Sequence, residues 1–284
     1  PIFYLMNFSY INFFMVEIEN KYKIYEKKFG YVNWLGAYSL WLKETKRFMN
    51  VWIQTLVSPI ITTLLFWSVL NLSIGEYRGE ILGTSFMTFL WPGLISMSIL
   101  QASFSHTSSS IMIGKLMNTL SDVVSAPLSA AEVTLAIILA ACTRSFLITL
   151  LSIVTFSFLI DLTIHSISLL FIFTFLGSFV LGSVGFIAGL YADKFDEMSG
   201  IQSFIIIPCT MLSGVFYTVD KLPSFFQAIS QFNPFWFVID GMRFSFLGVA
   251  DGSITKGLIY LSIFGVITWL ISFILYSRGY KIKA

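Results

Sequence analysis

The chain has 284 residues, of which 56% are hydrophobic and 11% are charged, and its formal net charge is +2. Average soluble domains contain about 45–50% apolar and about 25% charged residues, so this composition lacks the polar surface that a water-soluble fold needs. The mean hydropathy is +0.83, and a bilayer is the solvent in which such a chain is stable. The composition therefore excludes a soluble enzyme and predicts an integral membrane protein.

Apolar stretches of the length that crosses a membrane recur along the chain, since a spanning helix needs about 20 such residues. Six stretches qualify or nearly qualify, at about 51–72, 86–106, within 133–160, 166–190, 201–217 and 257–276. The fifth is the shortest and contains Pro208, which makes it the weakest of the six. The predicted fold class is an all-α integral membrane protein with six transmembrane helices.

The third stretch is longer than one crossing requires. Val133 to Ile160 is 28 residues, or about 42 Å of helix, whereas a hydrocarbon core is about 30 Å thick. Arg144 lies inside this stretch, and arginine is costly in the middle of a membrane. We therefore expect the helix to slide until Arg144 reaches the interface, so that about 142–160 span the membrane and 133–141 lie at or outside its surface.

The lysines and arginines are distributed asymmetrically between the loops. With the N-terminus inside, thirteen of the 17 fall on the inner side and four on the outer side. Cytoplasmic loops carry the positive excess, so six spans place both termini in the cytoplasm. Residues 1–32 are predicted to form an N-terminal cytoplasmic tail, with disorder as an open alternative. Segment 1–16 is apolar but has no basic region before it, and is not predicted to be a signal peptide.

The outer segment 218–256 is too apolar for a solvated loop. It is also too broken by Pro223 and Pro234 to form a spanning helix. A pair of short re-entrant or interfacial helices fits this composition, with aromatic side chains at headgroup depth. We therefore predict a re-entrant or interfacial helical segment immediately before the last span.

Residues 33–52 are amphipathic at the helical repeat. One face carries Trp34, Tyr38, Trp41, Leu42, Thr45, Phe48, Met49 and Trp52, and the opposite face carries Ser39, Lys43, Lys46, Arg47 and Asn50. This pattern predicts a helix lying in the plane of the inner leaflet, with its basic side toward the headgroups. The alternative is a simple basic flank of the first span.

The longest inner loop between predicted spans is 107–132, and it is weakly amphipathic. Its apolar positions are Ile113, Leu116, Leu120, Val123 and Val124, which are spaced like one face of a helix. A protruding helix of this kind would receive force from a cytosolic partner. An ordinary connecting loop with a surface helix remains an equal alternative.

The fourth span is rich in small residues. Gly185 and Gly189 form a GxxxG pair, and Ser178 with Gly182 repeats the spacing. Small residues allow helix backbones to approach closely in lipid, and packing within the chain is favoured over packing against a second copy. The acidic cluster in the loop 193–197 is either a solvated turn or a docking point for a partner.

No motif of enzymatic chemistry is present in the sequence. There is no GxxxxGK[ST] phosphate loop, HExxH or GxSxG, so the chain is predicted to be neither an ATPase nor another enzyme. No catalytic, cofactor-binding or metal-binding residues are assigned, and no cofactor is expected. Two histidines and two cysteines are too few and too separated for a metal site.

Four stretches together resemble the type-two family of ABC exporter permeases. Residues 41–62 (WLKETKRFMNVWIQTLVSPIIT) are similar to that family's in-plane helix and first span, and 89–100 (FLWPGLISMSIL) to its second span. Residues 116–129 (LMNTLSDVVSAPLS) are similar to its first coupling helix. Residues 208–248 are similar to its C-terminal signature, in Ser213-Gly214, Phe216-Tyr217, Leu222-Pro223, Asn233-Pro234, Gly241 and Arg243.

The resemblance covers about 33–280 and implies one permease domain there. It implies a separate ABC ATPase subunit as partner, a second permease copy in a homodimer, and a location in the bacterial inner membrane, with no nucleic acid bound. The implied coupling residues are Lys43, Arg47, Lys115, Asp122, Pro127 and Asp196. Aromatic and small side chains on the first, second and fifth spans are expected to contact the solute, a drug, lipid or glycan. The residues expected to line that path are Phe66, Met97, Phe104 and Phe216.

Two other functions remain open from the sequence. An ion-driven secondary carrier would need inverted repeats and ionisable residues near mid-membrane, and neither is visible. A membrane scaffold or assembly factor without transport is the second alternative.

Overall fold

The computed structural model describes residues 32–75, 77, 79–160 and 162–281, apart from the side chains at 228 and 231. The predicted tail 1–32 lies almost entirely outside the described residues, as does Arg78 of the first outer loop. The folded unit described below begins at Trp34.

The described residues form eleven α-helices in a largely helical chain. They are α1 Trp34–Met49, α2 Ser58–Ile74, α3 Phe86–Leu116, α4 Thr119–Ser125, α5 Ala130–Ser157, α6 Ile167–Tyr191, α7 Phe195–Ile201, α8 Ile207–Met211, α9 Ser224–Phe232, α10 Pro234–Leu247 and α11 Ile254–Ser277. A π-helical turn, Ile53–Val57, leads into α2, and a second, Gln202–Ile206, joins α7 to α8. A 3-10 turn, Val219–Lys221, precedes α9.

Within the described ranges, five helices are long and apolar enough to cross a membrane. They are Ile53–Ile74, Phe86–Leu116, Ala130–Ser157, Ile167–Tyr191 and Ile254–Ser277, and they match the first, second, third, fourth and sixth predicted spans. The fifth predicted span, 201–217, is not among them. Its helical stretch runs from Phe195 to Met211 and ends before Gly214, where the backbone turns with a φ of +75°.

The helix that contains the second predicted span continues beyond 106, so the connection to the next long helix is shorter than the predicted loop 107–132. Helix α3 continues to Leu116, and its hydroxyl side chains satisfy their hydrogen bonds on carbonyls of their own helix, so they can be buried there. Ser108 Oγ donates to the Phe104 carbonyl at 2.8 Å and Ser103 Oγ to the Ile99 carbonyl at 2.9 Å. Asn118, in the left-handed conformation with a φ of 54°, then separates α3 from α4.

The helix that contains the third predicted span begins before Val133. A reciprocal capping box between Ser129 and Glu132 starts α5 at Ala130, and the helix runs unbroken past Arg144. The Arg144 guanidinium donates to the Thr55 carbonyl in the first span. The expected placement of Arg144 at the membrane interface stays a prediction.

Helix α6 is the central element of the bundle, since it contacts α3, α5, α10 and α11. Its glycines permit the closest of these contacts. A Cβ on Gly185 would lie 2.4 Å from the Phe104 carbonyl oxygen, and one on Gly189 would lie 2.8 Å from the Ser108 carbonyl oxygen. The GxxxG pair therefore packs against α3 of the same chain, which confirms the intramolecular interpretation.

Two short helices, α9 and α10, precede the last span, as the composition of 218–256 predicts. Asn233 separates them, and its side chain caps α10 by accepting from the Phe235 amide at 3.1 Å. Gly248 ends α10 with a φ of 72°, a conformation that glycine adopts without penalty. The depth of both helices in the membrane stays a prediction.

Candidate functional site

Helix α1 is attached to the bundle through a buried carboxylate, Glu44. Its Oε2 atom accepts from Arg47 Nε at 2.9 Å and from Ser110 Oγ of α3 at 2.8 Å, although Glu44 is only 4% exposed. Arg47 Nη2 also donates to the His106 carbonyl at 3.0 Å. Since buried charges need partners, this cluster holds α1 in one register against the C-terminal half of α3.

A second contact holds α1 against the third span. Trp41 Nε1 donates to Thr143 Oγ1 of α5 at 3.1 Å, and Leu40 packs into an apolar cluster with Ile111 and Val133. Helix α1 therefore contacts two spans directly. These contacts join α1 to α3 and α5 without an intervening loop.

A groove opens where α1, α3, α4 and α5 meet. Its lining residues come from four helices and are Leu40, Lys43, Glu44, Arg47, Ser110, Ile111, Ile113, Gly114, Thr119, Leu120, Val123 and Ile137. Two of the predicted coupling residues, Lys43 and Arg47, are brought together here with α4. Lys43 is exposed, whereas Arg47 is half-buried by its contacts with Glu44 and His106.

Helix α4 carries two other predicted coupling residues. Leu120 is 4% exposed and anchors the helix in the groove. Asp122 lies on the exposed side, and Pro127 follows in the exposed link to α5. This geometry presents Asp122 outward while Leu120 and Val123 hold the helix in the groove.

Lys115 is placed differently from the other predicted coupling residues. Its Nζ donates to the carbonyls of Leu190 at 2.8 Å and Ala192 at 2.7 Å, and it is only 3% exposed. A cation at a helix C-terminus satisfies carbonyls that have no intrahelical partner. In this structure Lys115 therefore caps α6 and faces the interior of the bundle.

The loop after α6 joins this cap to the end of the last span. Lys281 Nζ donates to Asp193 Oδ2 at 2.7 Å and to the Tyr191 carbonyl at 3.0 Å. The hydrogen bond from Lys281, with the positive charges of Lys281 and Lys115, lowers the pKa of Asp193. The same bond raises the pKa of Lys281. Asp196, the remaining predicted coupling residue, is exposed at the start of α7.

A separate pocket lies between α2, α3 and the segment that follows α8. It is lined by Thr62, Thr63, Phe66, Leu94, Met97, Ser98, Gln101, Met211 and Phe216. Three of the four residues expected on the path, Phe66, Met97 and Phe216, are thus brought together. Phe104 is fully buried in the core beside Gly185 and does not line this pocket.

The pocket is mixed in polarity and small. Thr63 and Ser98 join its two walls through a 2.7 Å hydrogen bond between their hydroxyl groups. Among the described residues, none accepts a hydrogen bond from the buried amide nitrogen of Gln101. The volume inside is about 70 Å³, whereas pockets for drug-sized ligands have about 300–1,000 Å³. A larger solute would therefore require the two walls to separate.

The C-terminal signature folds into a buried polar network next to the segment that carries Met211 and Phe216. Arg243 is 1% exposed, donates to the Gly214 carbonyl at 2.6 Å and stacks its guanidinium 3.8 Å over the ring of Phe89. Asp240 accepts from the amides of Asp251 at 2.7 Å and Gly252 at 2.9 Å. These contacts fix the turns on either side of α10.

Asn233 completes the signature. Its Nδ2 donates to the Cys209 carbonyl at 3.0 Å and to Ser213 Oγ at 2.9 Å, which ties the end of α8 to the start of α10. Gly241 approaches Phe173 so closely that a Cβ would lie 2.2 Å from the ring. The signature residues therefore position the short helices that precede the last span.

Sequence reasoning missed Glu44 and Gln101. The Glu44–Arg47 spacing of three residues is a sequence signal for an ion pair on one helix face, but it does not predict burial against α3. Gln101 lies inside a predicted span, where an amide side chain is uncommon and needs a partner. That signal was available from the sequence.

Comparison with known proteins gives consistent matches over most of the chain. Residues 36–247 match the ABC-2 type transporter family. The chain is 31% identical over 251 residues to the inner membrane transport permease YadH of Escherichia coli K12, covering 88% of this chain and 98% of that protein. It is also 24% identical over 254 residues to nodulation protein J of Rhizobium leguminosarum bv. viciae, covering 88% of this chain and 95% of that protein.

Proposed function

The chain belongs to the ABC-2 type transporter family, and we propose that it is the permease subunit of an ATP-driven exporter in the bacterial inner membrane. The observation that carries the proposal is the match along nearly the whole length of a relative named as an inner membrane transport permease. Members of this family are transport permeases and not enzymes themselves. ATP would be hydrolysed by a separate ABC ATPase subunit.

The proposed topology has six spans with both termini in the cytoplasm. Five spans have the required length and apolarity in the described chain, and the helical stretch from Phe195 to Met211 is proposed as the sixth. The excess of lysine and arginine on one side supports the orientation. Helix α1 is proposed to lie in the inner leaflet, since Trp34 and Tyr38 are exposed on it. Residues 33–280 would form the permease domain.

The ATPase is proposed to bind the cytoplasmic face formed by α1, α4 and the start of α7. Lys43, Asp122 and Asp196 are exposed on these elements, with Arg47 and Pro127 beside them. ATP binding would draw two ATPase subunits together beneath the membrane. Helix α4 would pass the motion through Leu120 into the groove, and α1 would pass it through Glu44 to α3. The energy enters as the differential affinity of ATP for two states of the assembly.

The permease is proposed to act as a homodimer. The exposed surface of α2 supports a homodimer, because Leu65, Val69 and Leu72 are exposed along it. Of the five candidate spans, the first span, which contains α2, and α11 have the smallest buried share. A second copy would cover part of this face. The pocket containing Phe66, Met97 and Phe216 would then lie beside the path of an amphipathic or hydrophobic solute, such as a drug, lipid or glycan.

Co-purification with the ATPase encoded beside the gene, followed by reconstitution in liposomes, tests the proposal. ATP hydrolysis should require both subunits, and Asp122→Lys should dissociate or uncouple them. Glu80→Lys is the matched control, since it reverses the charge of an exposed residue in the first outer loop. Equal loss in both variants, or unchanged assembly and hydrolysis with Asp122→Lys, would count against the assigned interface. Failure to bind any ATPase would favour a secondary carrier or a scaffold.

A further inference from the structure

The first span begins with an irregular turn that changes the hydrogen bonding of its backbone. In the π-helical turn Ile53–Val57, the Ser58 amide donates to the Ile53 carbonyl, five residues earlier. In a regular α-helix the Thr55 carbonyl would accept from the amide of residue 59. Residue 59 is proline, which has no N–H. The Thr55 carbonyl therefore cannot receive its regular helical donor.

Arg144 of α5 supplies a donor to this carbonyl. Its Nη2 atom lies 3.1 Å and its Nε atom 3.3 Å from the Thr55 carbonyl oxygen. Among the described residues, no carboxylate forms an ion pair with Arg144. The guanidinium donates its hydrogen bonds to the Thr55 carbonyl. The contact gives the Thr55 carbonyl a donor in place of the N–H that Pro59 lacks, and it gives a hydrogen-bond partner to a guanidinium that is costly to bury alone.

A π-helical turn followed by a proline occurs a second time, on the other side of the pocket. A five-residue π-helical turn, Gln202–Ile206, leads into α8, and Pro208 is the second residue of that helix, as Pro59 is the second residue of α2. Gln202 Oε1 accepts from Ser105 Oγ of α3 at 3.2 Å. Both helices that line the pocket against α3 therefore begin at a proline-linked π turn held by a polar contact.

We propose that Arg144 is a positioning residue that holds the first span against the third at the Thr55 turn and keeps the pocket narrow. Release of this contact lets α2 rotate about the turn Ile53–Val57, so that Thr62 and Phe66 move away from α3. The pocket then widens from about 70 Å³. The inference rests on the proposed transport function only in treating this pocket as part of the path.

The position of the wall can be measured without ATP or a transported solute. Met97 lies on α3, the wall that does not move in this proposal, and a Met97→Cys variant with Cys142 and Cys209 replaced by alanine reports access by a maleimide. Arg144→Met should increase the labelling rate about tenfold, as expected for loss of one charge-assisted hydrogen bond. Arg144→Lys keeps one donor and should give a smaller increase. Equal labelling of folded Arg144→Met and its parent would overturn the proposal.

The proline provides the sharper test. Pro59→Ala restores an N–H beside the Thr55 carbonyl but not the link between α2 and α5, so Arg144→Met combined with Pro59→Ala should recover thermal stability while Met97→Cys still labels faster than in the parent. If Arg144→Met alone fails to fold, the double variant should recover folded protein, and failure to do so would contradict the inference. Thr143→Val is the matched control, since Thr143 bonds Trp41 and not the first span. It should change neither labelling nor the response to Pro59→Ala. All of these readouts are independent of the ATPase, so a failed hydrolysis assay leaves them interpretable.

Discussion

The Glu44 carboxylate accepts a hydrogen bond from the Ser110 hydroxyl at 2.8 Å between α1 and α3, where Glu44 is buried and Ser110 is half-buried. Replacing Glu44 with alanine removes this bond and leaves Arg47 without its carboxylate partner. We expect a cost of about 1–3 kcal/mol, seen as a lower unfolding midpoint of the detergent-solubilised chain. Ser110→Ala removes only the hydrogen bond to Glu44, so it should lower the unfolding midpoint by a smaller amount. A larger effect of Ser110→Ala would contradict the central role of Glu44.

Lys115 is expected to stabilise the fold from inside the bundle. Lys115→Met removes the ammonium that caps the carbonyls of Leu190 and Ala192, and a buried carbonyl without a donor costs about 1–3 kcal/mol. The unfolding midpoint should fall for the permease alone, without its ATPase. Lys194→Met is the matched control, because Lys194 is exposed and should tolerate the change. An effect seen only in the assembled transporter would instead assign Lys115 to coupling.

Arg243 should be among the least replaceable residues of the chain. Arg243→Met leaves the buried Asp240 carboxylate without its neighbouring cation and the Gly214 carbonyl without its donor. Breaking a buried charged pair from one side costs about 3–5 kcal/mol, so the yield of folded protein should fall sharply. Lys256→Met, at an exposed site, should have no effect. The double variant Arg243→Met/Asp240→Asn should lose less folding free energy than the sum of the losses in the two single variants.

Gly185 should not accept even a methyl group. A Cβ there would lie 2.4 Å from the Phe104 carbonyl oxygen and 3.0 Å from its Cα atom, both of which are backbone atoms that move little. Gly185→Ala should therefore push α6 away from α3 and reduce thermal stability. Gly200→Ala is the matched control, because nothing lies within 4 Å of its added Cβ. Equal stability of the two variants would show that α3 and α6 adjust more easily than backbone packing suggests.

The contact between Asp193 and Lys281 should be insensitive to pH over a wide range. The pKa of Asp193 is lowered, so its contribution is complete above about pH 4 and is lost as pH falls through the lowered value. The pKa of Lys281 is raised, so its contribution is complete below about pH 10 and is lost above the raised value. Hydrogen exchange at 278–281 should therefore be constant between pH 5 and 9 after correction for intrinsic rates. Asp193→Asn should increase it throughout that range.

The fold was predictable wherever a single physical pattern decided it. Continuous apolarity located five of the spans, and small residues at a spacing of four identified the helix face of Gly185 and Gly189 that packs most closely. The comparisons confirm the resemblance based on stretches such as 41–62 and 208–248. These features are local in sequence or are set by the solvent.

The remaining features depend on contacts between distant residues. The end of α3 was misjudged because hydropathy counts the hydroxyls of Ser103 and Ser108 as polar, although each bonds a carbonyl of its own helix. The burial of Lys115 depends on the position of the α6 terminus, 74 to 77 residues away. The pocket is lined by Phe66, Met97 and Phe216 but not by Phe104, which is buried in the core. The sequence did not predict this difference, because the direction of a side chain on α3 depends on where the neighbouring helices lie.

If α4 receives force from an ATPase as proposed, the left-handed residue Asn118 would determine what kind of motion α4 passes to the membrane. Because the backbone reverses there, α4 does not extend the axis of α3, and a push on Asp122 is not transmitted along that helix as it would be along a straight rod. Leu120 packs among apolar side chains of three other helices and would be the fixed point about which α4 turns. Such a joint permits rotation and resists translation, so a cytosolic partner would steer this protein by turning the short helix.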